Sequence, residues 1–527
     1  MDNHLKRFYI TTPIYYASGL PHLGHAYCTI FCDVLTRCKR LLGHEVFFSV
    51  GMDEHGQKIE KNAKNANLPV QIFVDNISNS FKEMWKILGI QYDVFIRTTE
   101  KKHISNVQKI FSKMLNNDDI FLGKYIGWYC IECETFWSDS QVGNDKKCPD
   151  CLRKVVRKEE ESYFFKCSKY IEKLLDFYKK NSNFCFPVSY FNEINNNFIK
   201  PGLKDLSVSR VDGEWGIKVI ENDKHYIYVW LDALFNYLSA VGFDDNSDVY
   251  KKFWENKDTE IIHVVGGDIA RFHCVYWPMF LMACNYRLPN QVLVHGLIKI
   301  KNEKMSKSKK NVIDPLLLIK YFGADVVRYF LISEISFGYN YNFSPERFIE
   351  RVNILPHQLG NLLNRSISMI LRYFDGKIPV FNRSITSFDE VIEKKMFSTI
   401  EKYKKNIDNL KIQEAVSNVF DFVMDVNKYI DDTSPWNLHK KKNTKELESV
   451  MAHLAHFLFV IAILLSPVIV NKYKVILDQL GVCKELRKID FIEKFGVLDN
   501  KIVKKSDILF DIKDSNEMTE FLYSFIS

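Results

Sequence analysis

Cysteine is scarce in this sequence, and neither sign of charge is in large excess. Only 12 of the 527 residues are cysteine, which is too few to hold a chain of this length together as a disulfide scaffold. Lysine and arginine outnumber aspartate and glutamate by 72 to 65, and the net charge of +7 permits a polyanionic partner without demanding one. Hydrophobic residues at 46% and charged residues at 26% exclude a collagen-like or wholly disordered chain. The length predicts about three or four domains.

The first residues contain neither an apolar signal segment nor a transit segment rich in arginine and serine. Residues 1–7 (MDNHLKR) lead directly into a strand-like run. Together with the low cysteine content, this predicts a cytoplasmic protein in a reducing compartment.

One hydrophobic run is long enough to cross a membrane. Residues 451–470 (MAHLAHFLFVIAILLSPVIV) contain no Lys, Arg, Asp or Glu. The run also contains His453, His456 and Pro467, and a proline ends or kinks a helix. Because the run lies among amphipathic helical segments, we expect a buried helix of an all-α domain and no membrane span.

The N-terminal part has the pattern of a parallel α/β sheet. Residues 8–16 (FYITTPIYY) predict a strand, apolar residues at helical spacing follow from Ala26 to Gly43, and residues 46–50 predict a second strand. Strand, helix and strand in this order form a βαβ unit. Such sheets bind ligands at the carboxyl ends of their strands, where residues 22–25 (HLGH) and 53–56 (DEHG) lie.

The remaining segments differ in pattern. Residues 118–226 are irregular and contain close cysteine pairs, which indicates an insertion that splits the α/β domain. Strands are predicted again at 261–265 and 291–295. Beyond about residue 347 the periodicity is almost entirely helical.

Two histidines stand between a predicted strand and a predicted helix. His22, Gly24 and His25 precede the helical segment, and helix N-termini bind phosphate through their N–H groups and the macrodipole. The imidazoles add donors for phosphate oxygens, and Gly24 lets a planar base approach the backbone closely. On these residues alone, a turn with incidental histidines is the alternative.

A lysine-rich loop follows the strand at 291–295. Residues 299–310 contain six lysines and one glutamate, with Lys304, Ser306 and Lys307 near the centre. Flexible ammonium groups suit a mobile loop that closes over a triphosphate and stabilises the leaving pyrophosphate. A solvated surface loop would have the same composition. Nucleotide chemistry explains both the loop and the histidine pair, and it is the interpretation we favour.

Four of the cysteines form two close pairs. Fourteen residues separate the pair Cys130 and Cys133 from the pair Cys148 and Cys151. Two CxxC pairs at this spacing predict a tetrahedral zinc site with four thiolate ligands. Because such a site has no open coordination position, its role would be structural. Four free thiols are the alternative.

The motifs resemble those of the class I aminoacyl-tRNA synthetases, and in particular the methionyl-tRNA synthetases of bacterial type. The resemblance extends in family order from residue 8 to about residue 470. Its segments are TTPIYY (11–16), PHLGHAY (21–27), DEHGQKIEKNA (53–63), YVWLDAL (228–234), FHCVYWP (272–278), EKMSKS (303–308) and GNLLNR (360–365). It implies ATP-dependent ligation of methionine to its tRNA through a methionyl-adenylate, as used in protein synthesis including initiation.

The resemblance also implies a domain organisation. The expected fold is a Rossmann-like parallel-sheet catalytic domain with a zinc-binding insertion, followed by an all-α helical-bundle domain that binds the anticodon. The boundaries are 1–117 and 227–298 for the two halves of the catalytic domain, 118–226 for the insertion with the zinc knuckle, 299–346 for the lysine loop and stem-contact region, and 347–527 for the anticodon domain.

The family's functional residues transfer to this sequence motif by motif. Asp53 matches the carboxylate that pairs with the substrate ammonium, and Asp268 matches the acid that holds the ATP ribose. The residues expected to bind ATP are His22, Gly24, His25, Asp268, Lys304, Ser306 and Lys307, and those expected to be catalytic are His22, His25, Lys304 and Lys307. The methionine pocket is expected to comprise Ile14, Tyr16, Asp53, Trp230, Ala233, Leu234, Tyr237, Phe272 and His273.

The resemblance further implies the cofactors and partners. Asn361, Arg365 and Trp436 match residues that read the CAU anticodon of initiator and elongator tRNA, and Mg²⁺ would accompany ATP. One structural Zn²⁺ per chain is expected on Cys130, Cys133, Cys148 and Cys151. We expect a monomer, since the roughly sixty residues after Pro467 are too few for the appended domain through which some members of the family dimerise.

Three residues depart from the family pattern, and two other functions stay open. Gly267 stands where a lysine is usual, and Lys309 and Lys310 follow Ser308 where Leu-Gly is usual. A synthetase for cysteine or an aliphatic amino acid would have a different pocket around 228–237 or, for the aliphatic ones, a larger editing insertion. A paralogue that only binds RNA would not need intact histidine and lysine motifs.

Replacing Lys307 by alanine is expected to slow adenylate formation mainly through kcat. The reason is that its ammonium group would stabilise charge on the leaving pyrophosphate in the transition state, and one such contact is worth roughly 10²-fold or more. Steady-state ATP–pyrophosphate exchange measures this. A change confined to the KM for ATP would contradict the assignment.

Overall fold

The computed structural model describes residues 6–133, 135–137, 139–211, 213–243, 247–305, 312–382 and 385–524. Their contacts divide the chain into two units. We term Met1–Pro21, Glu45–Lys86 and Gln91–Leu297 the sheet unit, and His22–His44, Ile87–Ile90 and Ile298–Ser527 the helical unit.

The strands belong to one parallel sheet and three smaller sheets. In chain order they are β1 (Arg7–Tyr16), β2 (Glu45–Asp53), β3 (Val94–Arg97), β4 (Ile120–Cys130), β5 (Thr135–Trp137), β6 (Val156–Phe165), β7 (Cys185–Phe186), β8 (Leu206–Ser207), β9 (Ser209–Arg210), β10 (Lys218–Val219), β11 (Asn222–Ile227), β12 (Thr259–Gly266), β13 (Gln291–His295), β14 (Ile298–Ile300), β15 (Glu303–Lys304) and β16 (Tyr341–Asn342).

The helices in chain order are α1 (Leu23–Leu41), α2 (Gln57–Asn65), α3 (Val70–Ile87), α4 (Lys101–Asn116), α5 (Asp139–Val142), α6 (Ile171–Lys180), α7 (Val188–Ile194), α8 (Val229–Leu234), α9 (Asn236–Ser239), α10 (Asp248–Tyr250), α11 (Trp277–Ala283), α12 (Pro315–Phe322), α13 (Ala324–Glu334), α14 (Pro345–Ile354), α15 (Asn361–Phe374), α16 (Ser387–Asp408), α17 (Ile412–Thr433), α18 (Pro435–Lys440), α19 (Thr444–Leu465), α20 (Lys472–Gln479) and α21 (Ser515–Tyr523). The three longest helices, α16, α17 and α19, lie in the helical unit.

The parallel sheet has the strand order β3-β2-β1-β12-β13-β7. All of its neighbouring strands run parallel, as in a doubly wound Rossmann-like sheet. The central strands are apolar because both of their faces are covered, and Tyr9, Ile10 and Ile261 are each fully buried. The predicted strands at 8–16, 46–50, 261–265 and 291–295 are confirmed.

The helix that was predicted from Ala26 begins three residues earlier, at Leu23. The side chain of His22 caps it by accepting a hydrogen bond from the backbone N–H of Gly24. Histidine is not among the usual capping residues, so apolar periodicity alone places the start too late. Gly43, with a φ of +85°, follows the end of the helix as predicted.

Residues 118–226 are more regular than their sequence suggests. Strands β4 and β6 form a long antiparallel ladder from Ile120 and Phe165 to Tyr129 and Val156. Strand β7 pairs in parallel with β13 and so belongs to the central sheet. The boundaries at 118 and 226 stay a prediction.

Helix α19 contains most of the long hydrophobic run. It is long and apolar enough to cross a membrane, but 94% of its most apolar window is buried inside the protein. It ends at Leu465, two residues before Pro467, so the predicted buried helix is confirmed. A helix that is apolar all round suits the centre of a bundle.

A buried arginine joins four segments of the helical unit. The guanidinium of Arg328 on α13 is fully buried and donates to Asp33 Oδ2 of α1 at 2.6 Å. It also donates to the carbonyl oxygens of Pro467, Val468 and Leu88 at 2.7, 2.9 and 3.2 Å. Burial lowers the pKa of Arg328 below its ordinary value, and the Asp33 carboxylate opposes that shift.

Replacing Arg328 by methionine is expected to lower the free energy of unfolding by about 3–5 kcal/mol, since it leaves a buried carboxylate and three buried carbonyls without this donor. Denaturant unfolding measures the effect. The control is Lys404→Met, which removes a half-exposed ion pair with Glu493 and should cost at most about 1 kcal/mol. Equal effects of the two variants would contradict the role of Arg328.

Candidate active site

The carboxyl ends of β1 and β2 lie side by side in the sheet unit. Tyr16 pairs with Asp53 in the parallel register, and the backbone N–H of Ala17 donates to the Asp53 carbonyl at 2.8 Å. Ile14 pairs with Gly51, and a Cβ on that glycine would lie 2.8 Å from Ile14 Cγ2. Only glycine at position 51 therefore lets β1 and β2 approach this closely. Their pairing places Ile14, Tyr16 and Asp53 together at the carboxyl ends of the two strands.

Stacked aromatic rings form a wall in the same unit. The rings of Trp230 and Phe272 are parallel within 4°, with centroids 3.8 Å apart. His273 stands edge-on to Trp230 at 6.3 Å. Ala233 and Leu234, one helical turn beyond Trp230 on α8, are buried. The structure thus brings together Trp230, Phe272 and His273, as the sequence predicted.

His273 of this wall forms a hydrogen bond with Tyr237. His273 Nδ1 lies 3.0 Å from the carbonyl oxygen of Ile269, which can only accept, so Nδ1 carries the proton. Nε2 must then accept, and the hydroxyl of Tyr237 donates to it at 2.8 Å. Burial lowers the pKa of His273 to about 4, so the imidazole is uncharged at neutral pH.

A second neutral histidine, His263, packs against Tyr237. The rings of Tyr237 and His263 are stacked with centroids 4.2 Å apart. The indole N–H of Trp277 donates to His263 Nε2 at 3.2 Å, so Nδ1 donates to the hydroxyl of Thr11 at 2.8 Å. Burial lowers the pKa of His263 well below its ordinary value. The two histidines of the aromatic region are therefore uncharged at neutral pH.

A buried carboxylate that sequence reasoning missed fixes helix α8. Asp232, 1% exposed, accepts from His55 Nδ1 and His103 Nε2, each at 2.7 Å. Burial acts to raise the pKa of Asp232, but the imidazoles of His55 and His103 outweigh it and the pKa is lowered. His55 and Asp232 lie inside the motifs DEHG and YVWLDAL, whereas no pattern in the sequence marks His103 on α4.

The two histidines of the HLGH segment form one cap at the start of α1 in the helical unit. The backbone N–H of Gly24 donates to His22 Nδ1 at 3.1 Å, and the backbone N–H of His22 donates to His25 Nδ1 at 3.2 Å. Because each Nδ1 accepts, each ring carries its proton on Nε2. The rings are stacked with centroids 3.7 Å apart. A Cβ on Gly24 would lie 3.0 Å from His22 Cε1, so glycine leaves room for this stack.

The second half of the predicted lysine loop, residues 306–310, lies outside the described residues. Ser306 and Lys307 are not described, and of Lys304 only the backbone, in β15, is described. Lys309 and Lys310 also lie outside the described residues. Their predicted roles therefore stay predictions.

Asp268 is exposed in the turn after β12, next to the position that departs from the family pattern. A Cβ on Gly267 would lie 2.8 Å from Cε1 of Tyr190 and 2.9 Å from its hydroxyl oxygen. The half-buried ring of Tyr190 thus occupies the space that a longer side chain at 267 would need. The packing of Tyr190 therefore explains why glycine, and not lysine, stands at position 267.

The predicted anticodon residues lie on exposed parts of the helical unit. Arg365 on α15 forms an ion pair with Asp431 at 2.7 Å, and Asn361 donates to the carbonyl of His357 one turn earlier. Trp436 on α18 is 39% exposed, which is unusual for so large an apolar ring. An exposed indole suits the stacking of an unpaired base.

The four cysteines of the two pairs meet in the insertion. Their Sγ atoms all lie within 4.8 Å of one another, with Cys130 to Cys151 at 3.5 Å and Cys133 to Cys148 at 3.8 Å. Tetrahedral Zn–S bonds of about 2.3 Å would place sulfur atoms about 3.8 Å apart, so the cluster fits a metal ion. Hydrogen bonds among the thiols lower the pKa of Cys148 and raise that of Cys133, as expected where one thiolate shares its charge with its neighbours.

Comparisons with known proteins agree with this arrangement. Residues 8–157 and 153–367 match the family described as tRNA synthetases class I (M), and residues 389–471 match the anticodon-binding domain of tRNA ligases. The chain is 45% identical to the methionine–tRNA ligase of Bacillus subtilis, over 99% of this chain and 80% of that protein. It is also 45% identical to the methionine–tRNA ligase of Clostridium tetani, over 98% and 80%. Mycobacterium tuberculosis methionyl-tRNA synthetase in complex with methionyl-adenylate superposes with a TM-score of 0.91 at 34% identity, covering 96% of this chain and 99% of that chain.

We expect one tightly bound metal ion per chain, since four thiolates within this distance need a cation to offset their charge. Elemental analysis of freshly purified protein measures the stoichiometry. Cys148→Ser should release the metal and loosen the insertion without abolishing ATP binding. Cys483→Ser, which changes an exposed cysteine outside the cluster, should leave the stoichiometry unchanged. Unchelated wild-type protein without bound metal would overturn the assignment.

Proposed function

The chain belongs to the class I tRNA synthetases for methionine, and we propose that the aromatic pocket of its sheet unit is the methionine site. The enzyme ligates methionine to tRNA at the expense of ATP, through a methionyl-adenylate intermediate. We also propose which residues of this chain perform each step.

The single observation that carries the proposal is a wall of stacked aromatic rings with two neutral histidines, in the unit that also contains Asp53. The stacked rings of Trp230 and Phe272 and the neutral pair of Tyr237 and His273 suit a thioether, whose polarizable sulfur packs well against rings. A charged side chain would lose its hydration among these rings and neutral histidines. At the strand edge, Asp53 would bind the substrate ammonium group, with Ile14 and Tyr16 beside it.

ATP is proposed to bind through the segment that caps α1. His22 and His25 present Nε2–H groups as donors for phosphate oxygens, and Asp268 would hold the ribose. The methionine carboxylate attacks the α-phosphorus and pyrophosphate leaves, so catalysis consists of positioning and charge stabilisation rather than attack by an enzyme group. Lys304 and Lys307 would stabilise the leaving pyrophosphate with Ser306 beside them, and Mg²⁺ would accompany the phosphates.

The metal of the cysteine cluster is proposed to be zinc in a structural role. Cys130, Cys133, Cys148 and Cys151 would fill a tetrahedral shell, which leaves no position for a substrate. Four thiolates favour Zn²⁺ over the harder ions that oxygen ligands select.

The tRNA is bound through the anticodon domain. We propose that it carries a CAU anticodon, in both initiator and elongator forms, and that Asn361, Arg365 and Trp436 read its bases. The domain boundaries at 117, 226, 298 and 346, a monomeric state and a cytoplasmic location are proposed as well.

ATP–pyrophosphate exchange in the presence of each of the twenty amino acids tests the function, and only methionine should support it. Tyr237→Phe should raise the KM for methionine by about 10-fold or more and leave the KM for ATP unchanged. The reason is that water can replace the lost donor at Nε2 of His273 in the free enzyme, and methionine must displace that water at a cost of about 1–3 kcal/mol.

The matched control is Tyr170→Phe, which removes a buried hydroxyl that donates to Asp119 in the insertion and should not alter the KM for methionine. Exchange supported by cysteine, leucine or isoleucine would contradict the substrate. An absence of exchange from a folded protein that binds tRNA would identify an inactive paralogue.

A further inference from the structure

Each CxxC pair of the cysteine cluster contains an acid that reaches a cation outside the cluster. Glu132 of the first pair forms an ion pair with Lys58 at 3.3 Å. Asp150 of the second pair faces Arg271, with 3.8 Å between Oδ2 and Nη2. Neither cation belongs to the insertion: Lys58 is on α2, and Arg271 directly precedes Phe272.

The Arg271 guanidinium contacts two groups of aromatic rings. Its Cζ is 5.2 Å from the ring centroid of Trp137 and 4.6 Å from that of Phe198. These two rings pack in the same apolar cluster as the four cysteines. Cζ is also 4.9 Å from the ring of Phe272, which stacks on Trp230. The side chain of Arg271 is only 10% exposed, so these contacts are made largely out of water.

Lys58 provides a second and weaker connection of the same kind. Its ammonium nitrogen lies 6.0 Å from the ring centroid of Tyr16, at the limit of a cation–π contact. Lys58 and Glu132 are each 29% exposed, so water screens their attraction. Arg271 therefore carries most of the connection between the cluster and the pocket.

We propose that Arg271 is a positioning residue through which metal binding at the cysteine cluster raises the affinity for methionine. A bound metal fixes the loop of Asp150 and the rings of Trp137 and Phe198, which hold the guanidinium against Phe272. Phe272 and Trp230 are thereby kept stacked in the arrangement that receives the substrate side chain. Without the metal, one face of Arg271 loses its partners and the stack loses its support.

This inference rests on the proposed roles of the pocket and the cysteines, and it implies a reciprocal effect. If the metal tightens methionine binding by some factor, methionine must tighten metal binding by the same factor. If the metal only stabilised the insertion, metal and methionine would not change each other's affinity.

The test measures both affinities in the full-length protein. The Kd of methionine is measured by equilibrium dialysis for zinc-loaded and zinc-stripped protein, and the Kd of zinc by competition with a chromogenic chelator, with and without saturating methionine. In the wild type we expect both factors to be equal and about 5-fold or more, the lower end of typical coupling. In Arg271→Ala both factors should fall to near one, and the methionine Kd of the zinc-loaded protein should approach that of the stripped wild type.

Two further variants separate stacking from charge and from general effects. Arg271→Lys keeps the charge but not the planar guanidinium, and it should retain only part of the factor. Lys166→Ala is the matched control: Lys166 is likewise a cation with an acid partner, Asp118, and an aromatic neighbour, Phe121, and its replacement should leave both factors unchanged.

Equal methionine Kd values for loaded and stripped wild-type protein would overturn the proposal, as would a coupling factor that persists in Arg271→Ala. A wild type that binds no methionine would instead refute the proposed pocket, and one that binds no zinc would refute the proposed cluster.

Discussion

The carboxylate of Asp232, buried between two imidazoles, is the interaction on which the pocket of the sheet unit depends. It binds His55, two residues beyond the end of β2, and His103 on α4. The same residue lies on α8 between Trp230 and Ala233, so it fixes the aromatic wall relative to the strand edge that carries Asp53. A buried carboxylate is costly unless it is paired and hydrogen-bonded, and both of its oxygens have an imidazole partner here.

The pocket and the helix cap use histidine in the same way. His263 and His273 in the sheet unit and His22 and His25 in the helical unit each have one ring nitrogen whose role is set by a neighbouring backbone or side-chain group. Burial keeps the first two neutral within the aromatic wall. The second two present N–H donors at a helix N-terminus, where negative charge is favoured.

The sequence predicted the residue types of the site better than the buried contacts that hold those residues in place. The cysteine spacing predicted the cluster, and the strand pattern placed Tyr16 and Asp53 at adjacent strand ends. The pairing of Asp232 with His103 could not be predicted, since contacts 129 residues apart leave no local periodicity. The early start of α1 was missed because its cap is a histidine, and the packing of Tyr190 over Gly267 depends on a segment whose position only the fold determines.

We propose that the aromatic wall held in place by Asp232 recognises methionine in the absence of tRNA. The most direct test is the methionine Kd of Asp232→Asn, measured by equilibrium dialysis without ATP or tRNA. An amide offers one acceptor oxygen where the carboxylate offers two, so one imidazole contact is lost and the Kd should rise about 10-fold or more while ATP binding is unchanged. A folded variant that binds methionine as tightly as the wild type would contradict the account.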